Sequence, residues 1–289
     1  MLTAVRATLA VILVGYRWLL CYKFYNLKNI ATSLDKKEGK RKKPARSIYC
    51  LISISIFFQV YPVVFEGLFH TQEFQICIIY GIRITGFYAT VCNIIQMTHS
   101  AVLYTLPFTT FSIFYVTICS QIRSELLSFQ NLLSSKTILS YEESLKAFSC
   151  IKTRVEAIDK EVSFLIFCSI AFTSSFMYCL LHAAFDPVYY HGLKLFDLIL
   201  FSLCISTIFL VTTVSASLVS EASQEIASTV RCLTAPSVAT GVSLQRFLLV
   251  VEKDICLTVW KIVPIRRNFI IGTMGAILTY SVLFHGLNI

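Results

Sequence analysis

Charge is scarce in this sequence. Only 14% of its 289 residues are Asp, Glu, Lys or Arg, where a soluble domain carries about 25%. With 56% hydrophobic residues and a mean hydropathy of +0.72, the chain lacks the polar surface to cover itself in water. The same figures exclude intrinsic disorder, which needs a chain poor in apolar residues. Glycine and proline are sparse too, at 10 and 6. Long helices are therefore expected. The alternating segments of about ten residues that mark a transmembrane barrel are not found. Composition leaves an integral membrane protein built mostly of helix.

Chemistry-bearing patterns are missing as well. The 11 cysteines are scattered without a CxxC pair, and most lie in apolar runs. They read as small buried thiols rather than a disulfide framework. Only Cys77 falls clearly in an expected outer loop. No GxSxG, HExxH, phosphate-binding loop or dinucleotide fingerprint occurs. The histidines at 70, 99, 182, 191 and 285 are not at metal-ligand spacing. No enzyme activity, metal or cofactor is expected.

What is present is a series of apolar runs. A bilayer core of about 30 Å needs about 20 apolar residues in helix. Six stretches qualify: 3–24, 47–69, 86–119, 162–183, 194–219 and 267–287. The first is interrupted by Arg6 and Arg17, and a cleaved signal peptide is its rival reading. Arg17 breaks the apolar run, and no small-x-small cleavage site follows. The third is read as one helix, because no Gly/Pro/Asn cluster stands near Thr98-His99 to make a hairpin. His99 suits either a helix–helix hydrogen bond or a polar cavity.

The basic residues orient these runs. Lys and Arg number nine in 22–46, one in 70–85, six in 120–161, none in 184–193 and five in 220–266. Positive charge concentrates in cytoplasmic loops. The first, third and fifth gaps are therefore expected inside, and both termini of this chain outside. The charge run at 35–46 reads as a solvated inner loop that can also meet anionic lipid. No nucleic-acid role is expected.

Two inner gaps carry helical stripes. Leu145, Phe148, Ile151, Val155, Ile158 and Val162 are spaced by three or four, as are Leu244, Phe247 (with Leu248), Val251, Ile255 and Val259. Each fits an amphipathic helix over 141–162 or 244–259. A helix lying on the membrane is one reading. Polar faces of mixed charge, with Glu156, Lys160, Glu252 and Lys253, favour helices that pack on one another below the membrane.

Aromatic residues gather at the outer ends of the runs. For any one of them an interfacial belt accounts for the placement. As a set with Glu66, His182 and Asp197 interleaved, Tyr88, Tyr178 and Phe185 are candidates to line a pocket for a small organic ligand.

The closing segment is the most distinctive. Leu257-Thr-Val-Trp260, Pro264, Arg266-Arg267 and Thr279-Tyr280 precede an almost immediate chain end. This pattern resembles the last segment of the insect gustatory receptor family, seven-helix arthropod chemosensory receptors related to odorant receptors. That family ends in Thr-Tyr, five mostly apolar residues, then Gln-Phe. Gly286 and Leu287 stand where it has Gln and Phe. Stretches at 114–119, 126–133 and 221–223 also resemble it, so the likeness spans most of 47–289.

The resemblance implies an all-α, polytopic transmembrane helical bundle with an extracellular C-terminus in the cell membrane, lacking the family's first helix. It implies a non-selective cation channel opened by a small tastant, assembled with membrane lipid around it as a homo- or hetero-tetramer. Thr279 and Tyr280 belong by resemblance to the pore-helix motif. A helical wheel puts Thr273, Ala276 and Tyr280 on one face of that helix, with Phe284 a turn further. The same face suits packing against a neighbouring helix equally well. The alternatives are a G-protein-coupled-type receptor, an accessory or truncated subunit without channel activity, and a small-solute transporter. The first lacks Asp-Arg-Tyr and Asn-Pro-x-x-Tyr, and the last lacks buried polar machinery.

Overall fold

The computed structural model describes residues 2–35, 76–79, 82–86, 106–134, 141–185, 193–234 and 242–287. It also describes helical pieces at 49, 52–53, 56–57, 88–89, 91–92 and 94–95. Six helices and two small hairpins result. Helix α1 is Leu2–Asp35, and strands β1 (Ile76–Ile79) and β2 (Ile82–Thr85) pair antiparallel. Helices α2 (Leu106–Ser134), α3 (Tyr141–Ala184), α4 (Leu193–Thr234) and α5 (Val242–Glu252) follow. A second hairpin, β3 (Thr258–Val259) with β4 (Val263–Pro264), leads into α6 (Arg267–Leu287).

The helices start where local chemistry favours it. Pro107 sits in the first turn of α2, where its missing N–H costs nothing. Glu142 and Glu143 stand at the positive end of α3. Along α4 the hydroxyls bond back to the carbonyls of the preceding turn, Thr212 to Ile208 at 2.8 Å and Thr213 to Phe209 at 2.7 Å. Such bonds satisfy a polar side chain inside an apolar bundle. Ala216, Val219, Ala222 and Ser223 are all but fully buried. Small buried side chains allow close helix packing, and α4 packs on both α2 and α3.

Pair contacts fix the directions. Tyr16 of α1 packs on Phe108 and Phe111 near the start of α2, and Phe108 packs on Phe172 late in α3. Lys23 of α1 pairs with Glu161 at 3.4 Å, and Arg154 of α3 grips Glu125 of α2 at 2.6 and 2.9 Å. Both α1 and α2 therefore run antiparallel to α3, and parallel to each other.

Among the described residues two helices, over 142–184 and 198–232, are long and apolar enough to cross a membrane. Of the expected third span, 86–119, the described parts are α2 from Leu106 and the helical pieces at 88–89, 91–92 and 94–95. The predicted helix over 244–259 is corrected, since α5 stops at Glu252. Lys152 of α3 donates to the carbonyls of Val250 and Lys253 at 3.5 and 3.3 Å, closing the end of α5. Burial and Lys253 pull the Lys152 ammonium below its usual range, against Glu156.

The stripes themselves behave as the spacing predicts. Phe148, Val155, Ile158, Val162, Phe247, Val251, Ile255 and Val259 are all buried. They form a compact inner bundle with the late turns of α2 and α4, where Phe129 meets Phe148 at 5.7 Å.

The β3–β4 hairpin is fastened to α3. Asp159 accepts the Thr258 N–H at 2.8 Å and the Thr258 hydroxyl at 2.7 Å, and Trp260 N–H donates to the Ser163 carbonyl at 3.0 Å. At its tip Trp260 and Lys261 have φ of 50° and 58°. Two successive non-glycine residues in this region cost roughly 1–2 kcal/mol each.

Burial pushes the Asp159 carboxyl above its ordinary 3.8, opposed by the Thr258 bonds and Lys261. A raised native value means the folded chain holds a proton that the unfolded chain has released. The contribution is then greatest in acid and falls as pH rises from about 4 through the native value. Asp159→Asn is expected to flatten that slope in melting temperature measured across acid pH, while keeping one acceptor for Thr258. Asp159→Ala is expected to cost about 1–3 kcal/mol, because it strands the Thr258 N–H.

Candidate functional site

Two regions are candidates for function. The first is an aromatic cluster where α1, α2 and α3 meet. Phe108, Phe111 and Tyr115 recur at three and four residues on α2, so one helix face presents all three. Phe111 and Tyr115 rings lie 6.1 Å apart, Tyr16 meets Phe111 edge-on at 5.9 Å, and Phe108 meets Phe172 at 5.1 Å. Phe172 and Phe176 continue the cluster along α3 at 5.9 Å. Tyr16 is 4% exposed, and its hydroxyl is buried without a hydrogen-bond partner among the described residues. The Ser174 hydroxyl, two residues from both Phe172 and Phe176, is in the same condition. A buried hydroxyl left unpaired costs about 1–3 kcal/mol, so a ligand that reaches it gains by pairing it.

The second region is α6. Ile270, Met274, Ile277 and Ser281 face the bundle, at four-, three- and four-residue steps, and Ser281 is fully buried. The opposite face carries Gly272, Gly275, Ala276 and Thr279, all exposed. A Cβ built on Gly272 or Gly275 meets no atom within 4 Å. At the foot of this helix Arg267 holds Glu221 of α4 through two bonds, the second at 2.7 Å. Arg266 and Gln224 both reach Asp254, at 3.0 and 3.2 Å. A polar groove of about 530 Å³ lies there, lined by Ser220, Glu221, Gln224, Arg266, Arg267 and Asn268 among others.

The sequence-predicted pocket residues are only partly brought together. Tyr178 and His182 are neighbours on α3 with rings 6.3 Å apart, and Phe185 N–H donates to the His182 carbonyl at 3.2 Å. Tyr88 is 74% exposed. Glu66 lies outside the described residues, and of Asp197 only the α4 backbone is described. Of the predicted pore set, Ala276, Thr279 and Tyr280 are exposed on α6. Thr273 is half-buried at the edge of the packed face and donates to the Phe269 carbonyl at 2.8 Å. The side chain of Phe284 lies outside the described residues. The aromatic spacing on α2 and the Phe172–Phe176 step were available signals for the cluster. Tyr16 was hidden by its neighbour Arg17, which made α1 read as a weak span.

Among the described residues no group of three or more His, Cys, Asp or Glu is placed to hold a metal ion. Nine of the 11 cysteines, including Cys119 and Cys168, lie among the described residues and are in no disulfide there. Burial pushes the Cys256 thiol up, which keeps it protonated and unreactive.

This combination of long helices, a packed bundle at one end and a final helix behind a hairpin is similar in fold to a solved insect olfactory receptor. The olfactory receptor OR5 from Machilis hrabei, solved in complex with eugenol, matches with a TM-score of 0.66 at 12% identity, over 94% of this chain and 70% of that one. A second structure of that receptor matches with a TM-score of 0.55 at 12% identity, over 93% and 68%. No protein-family profile and no curated protein matches the sequence.

Tyr16→Phe tests the cluster directly. The variant is expected to stabilise the chain by about 1 kcal/mol, since it removes an unpaired buried hydroxyl. It is also expected to lower the potency of any agonist that hydrogen-bonds there, by about tenfold. Thermal melts and dose–response curves of the same preparation read both.

Proposed function

We propose that this chain is a subunit of a chemosensory receptor that works as a ligand-gated, non-selective cation channel, of the gustatory kind and opened by a small organic tastant. The observation that carries the reading is α6. It packs on one face only and presents a small-residue face, Gly272, Gly275, Ala276 and Thr279, to the outside of its own chain. Glycine in a helix interior costs about 1 kcal/mol relative to alanine. Close approach of a symmetry-related helix repays that cost. Four such faces around one axis make a central pore, with Thr279 and Ala276 toward it and Tyr280 at its flank.

Helix direction supports a topology of six spans. Since α1 and α2 are parallel, the chain between them is read as crossing the membrane an odd number of times, with the apolar run 47–69 as one crossing. With basic loops inside, both ends of this chain face the exterior. The third span is read as 86–119, of which α2 holds the part from Leu106. Agonist enters the aromatic cluster in the outer half, with Tyr178 and His182 near its rim. It favours the conformation that binds it better. Movement of α3 reaches α6 through the Asp159–Thr258 clamp and the hairpin. The expected assembly is a homo- or hetero-tetramer in the cell membrane, needing no cofactor or metal.

Whole-cell recording tests this reading. Cells expressing the chain, alone and with a related receptor, are exposed to sugars, bitter compounds and small lipids. An evoked current that reverses near zero in mixed sodium and potassium supports it. Absence of current in both settings, with a C-terminal tag accessible at the surface, rules out the channel and leaves the topology.

A further inference from the structure

We infer that the β3–β4 hairpin is a lipid-docking tip that binds anionic phospholipid headgroups of the cytoplasmic leaflet between Lys261 and Lys160, with the Trp260 indole at the interface. The inference rests on α3 crossing the membrane and on nothing about ligands or conduction.

Three observations converge on the tip. The first is its level. Trp260 packs on Phe164 and Phe167 of α3, at 5.5 and 4.9 Å, and its N–H is held by Ser163. Those residues open the apolar part of α3. Asp159, one turn before, is still a hydrogen-bonded carboxylate. The tip therefore sits where apolar helix gives way to polar helix, the depth of a membrane–water boundary.

The second is its surface. Trp260 is 49% exposed, Ile262 72% and Val263 41%. Lys261 at the apex is exposed too. Tryptophan flanked by lysine suits an interface, with the ring at headgroup depth and the ammonium toward phosphate. Lys160 is exposed and lies on the same α3 face as Phe164 and Phe167, at steps of four and three. The nearby acid Asp159 accepts from Thr258 through both oxygens and also attracts Lys261, so a headgroup at the apex competes with a carboxylate that is already hydrogen-bonded.

The third is the backbone. Trp260 and Lys261 both occupy the left-handed region, where glycine is the usual residue. Strain of this kind persists when the surroundings over-determine it, and it marks functional positions. Here it aims Trp260 onto α3 and Lys261 outward together. Through Ile265, buried and bonded to Leu257, and Arg267 the tip is continuous with the foot of α6. Lipid composition would thus act on the base of the last helix.

The chain has two tryptophans, so Trp18→Phe leaves Trp260 as sole reporter. The full chain is reconstituted into vesicles of phosphatidylcholine with a minor fraction of phosphatidylserine. In paired preparations either the serine lipid or an equal amount of the choline lipid is brominated. Quenching of Trp260 is expected to favour brominated phosphatidylserine, with a preference of about fivefold per lysine. Lys160→Gln with Lys261→Gln is expected to bring the preference to one while quenching by choline lipid remains. Equal quenching by both lipids in the lysine-bearing chain overturns the headgroup assignment. No quenching by either, in protein that floats with the vesicles, overturns lipid docking altogether and leaves a second copy of the chain as the occupant. Protein that fails to float overturns the membrane crossing of α3 itself, on which the inference stands. None of these readouts depends on channel opening.

Discussion

Ala276→Trp is expected to abolish ligand-evoked current while leaving the protein at the cell surface. Ala276 lies on the face of α6 turned away from the bundle, beside Thr279 and one position from Gly275. Within its own chain the larger ring meets no packed core, so folding of the subunit is spared. Around the shared axis of the proposed tetramer, four such rings would fill the space that four alanines leave open. Even short of a plug, forcing bulk into a close helix contact costs about 1–3 kcal/mol. Borne by one gating state, that would shift the open population about five- to 150-fold. Leu278→Trp is the matched control, because Leu278 is 57% exposed on a different side of α6 and belongs to the lipid-facing surface in this arrangement. Its current is expected to persist. Unchanged current in Ala276→Trp, or equal loss in both variants, sinks the assignment of the pore face.

Phe148→Ala is expected to cost about 3–5 kcal/mol, the largest stability effect of any single change proposed for this chain. Phe148 is fully buried on α3 and packs against Phe129 of α2. Val155, Ile158, Phe247 and Val251 of the same core are also buried. In the proposed topology this bundle lies beyond the membrane, where water drives its packing in the ordinary way. Lipid-embedded helices lack that driving force between them. The inner bundle is therefore expected to supply much of the cohesion between α2, α3, α4 and α5. A domain holds about 5–15 kcal/mol in all, so the alanine variant should melt far below the parent in detergent and fail to reach the surface. Phe148→Leu is expected to lose less than about 1.5 kcal/mol. Equal melting of parent and alanine variant would place the cohesion elsewhere.

How much was legible beforehand depends on the range of the signal. The stripe from Leu145 to Val162 predicted Phe148, Val155, Ile158 and Val162 on one face, and each is buried. The second stripe predicted its buried residues correctly but not their conformation. Ile255 and Val259 are buried from extended chain and hairpin, because Ser223 receives the Ile255 N–H at 2.9 Å and Asp159 takes that of Thr258. The pocket set named Tyr178 and His182, which are neighbours on α3, while Tyr88 is exposed and Tyr16 was passed over. Aromatic residues near helix ends look alike in a sequence whether they serve a belt or a cluster.

By itself the sequence determined the class of protein. Scarce charge and few helix breakers dictate long helices that cannot cover themselves in water, and the apolar periods dictate which face of each is buried. These are local properties, settled by residues three or four apart. Only the tertiary structure decided that α1 and α2 run parallel, that the second inner stripe ends in a hairpin, and which side of α6 is left open. Those outcomes rest on contacts such as Lys23 with Glu161 and Asp159 with Thr258, separated by 138 and 99 residues. Pairing over such distances is chosen by the competition among all buried faces at once, and no single stretch of the chain contains it.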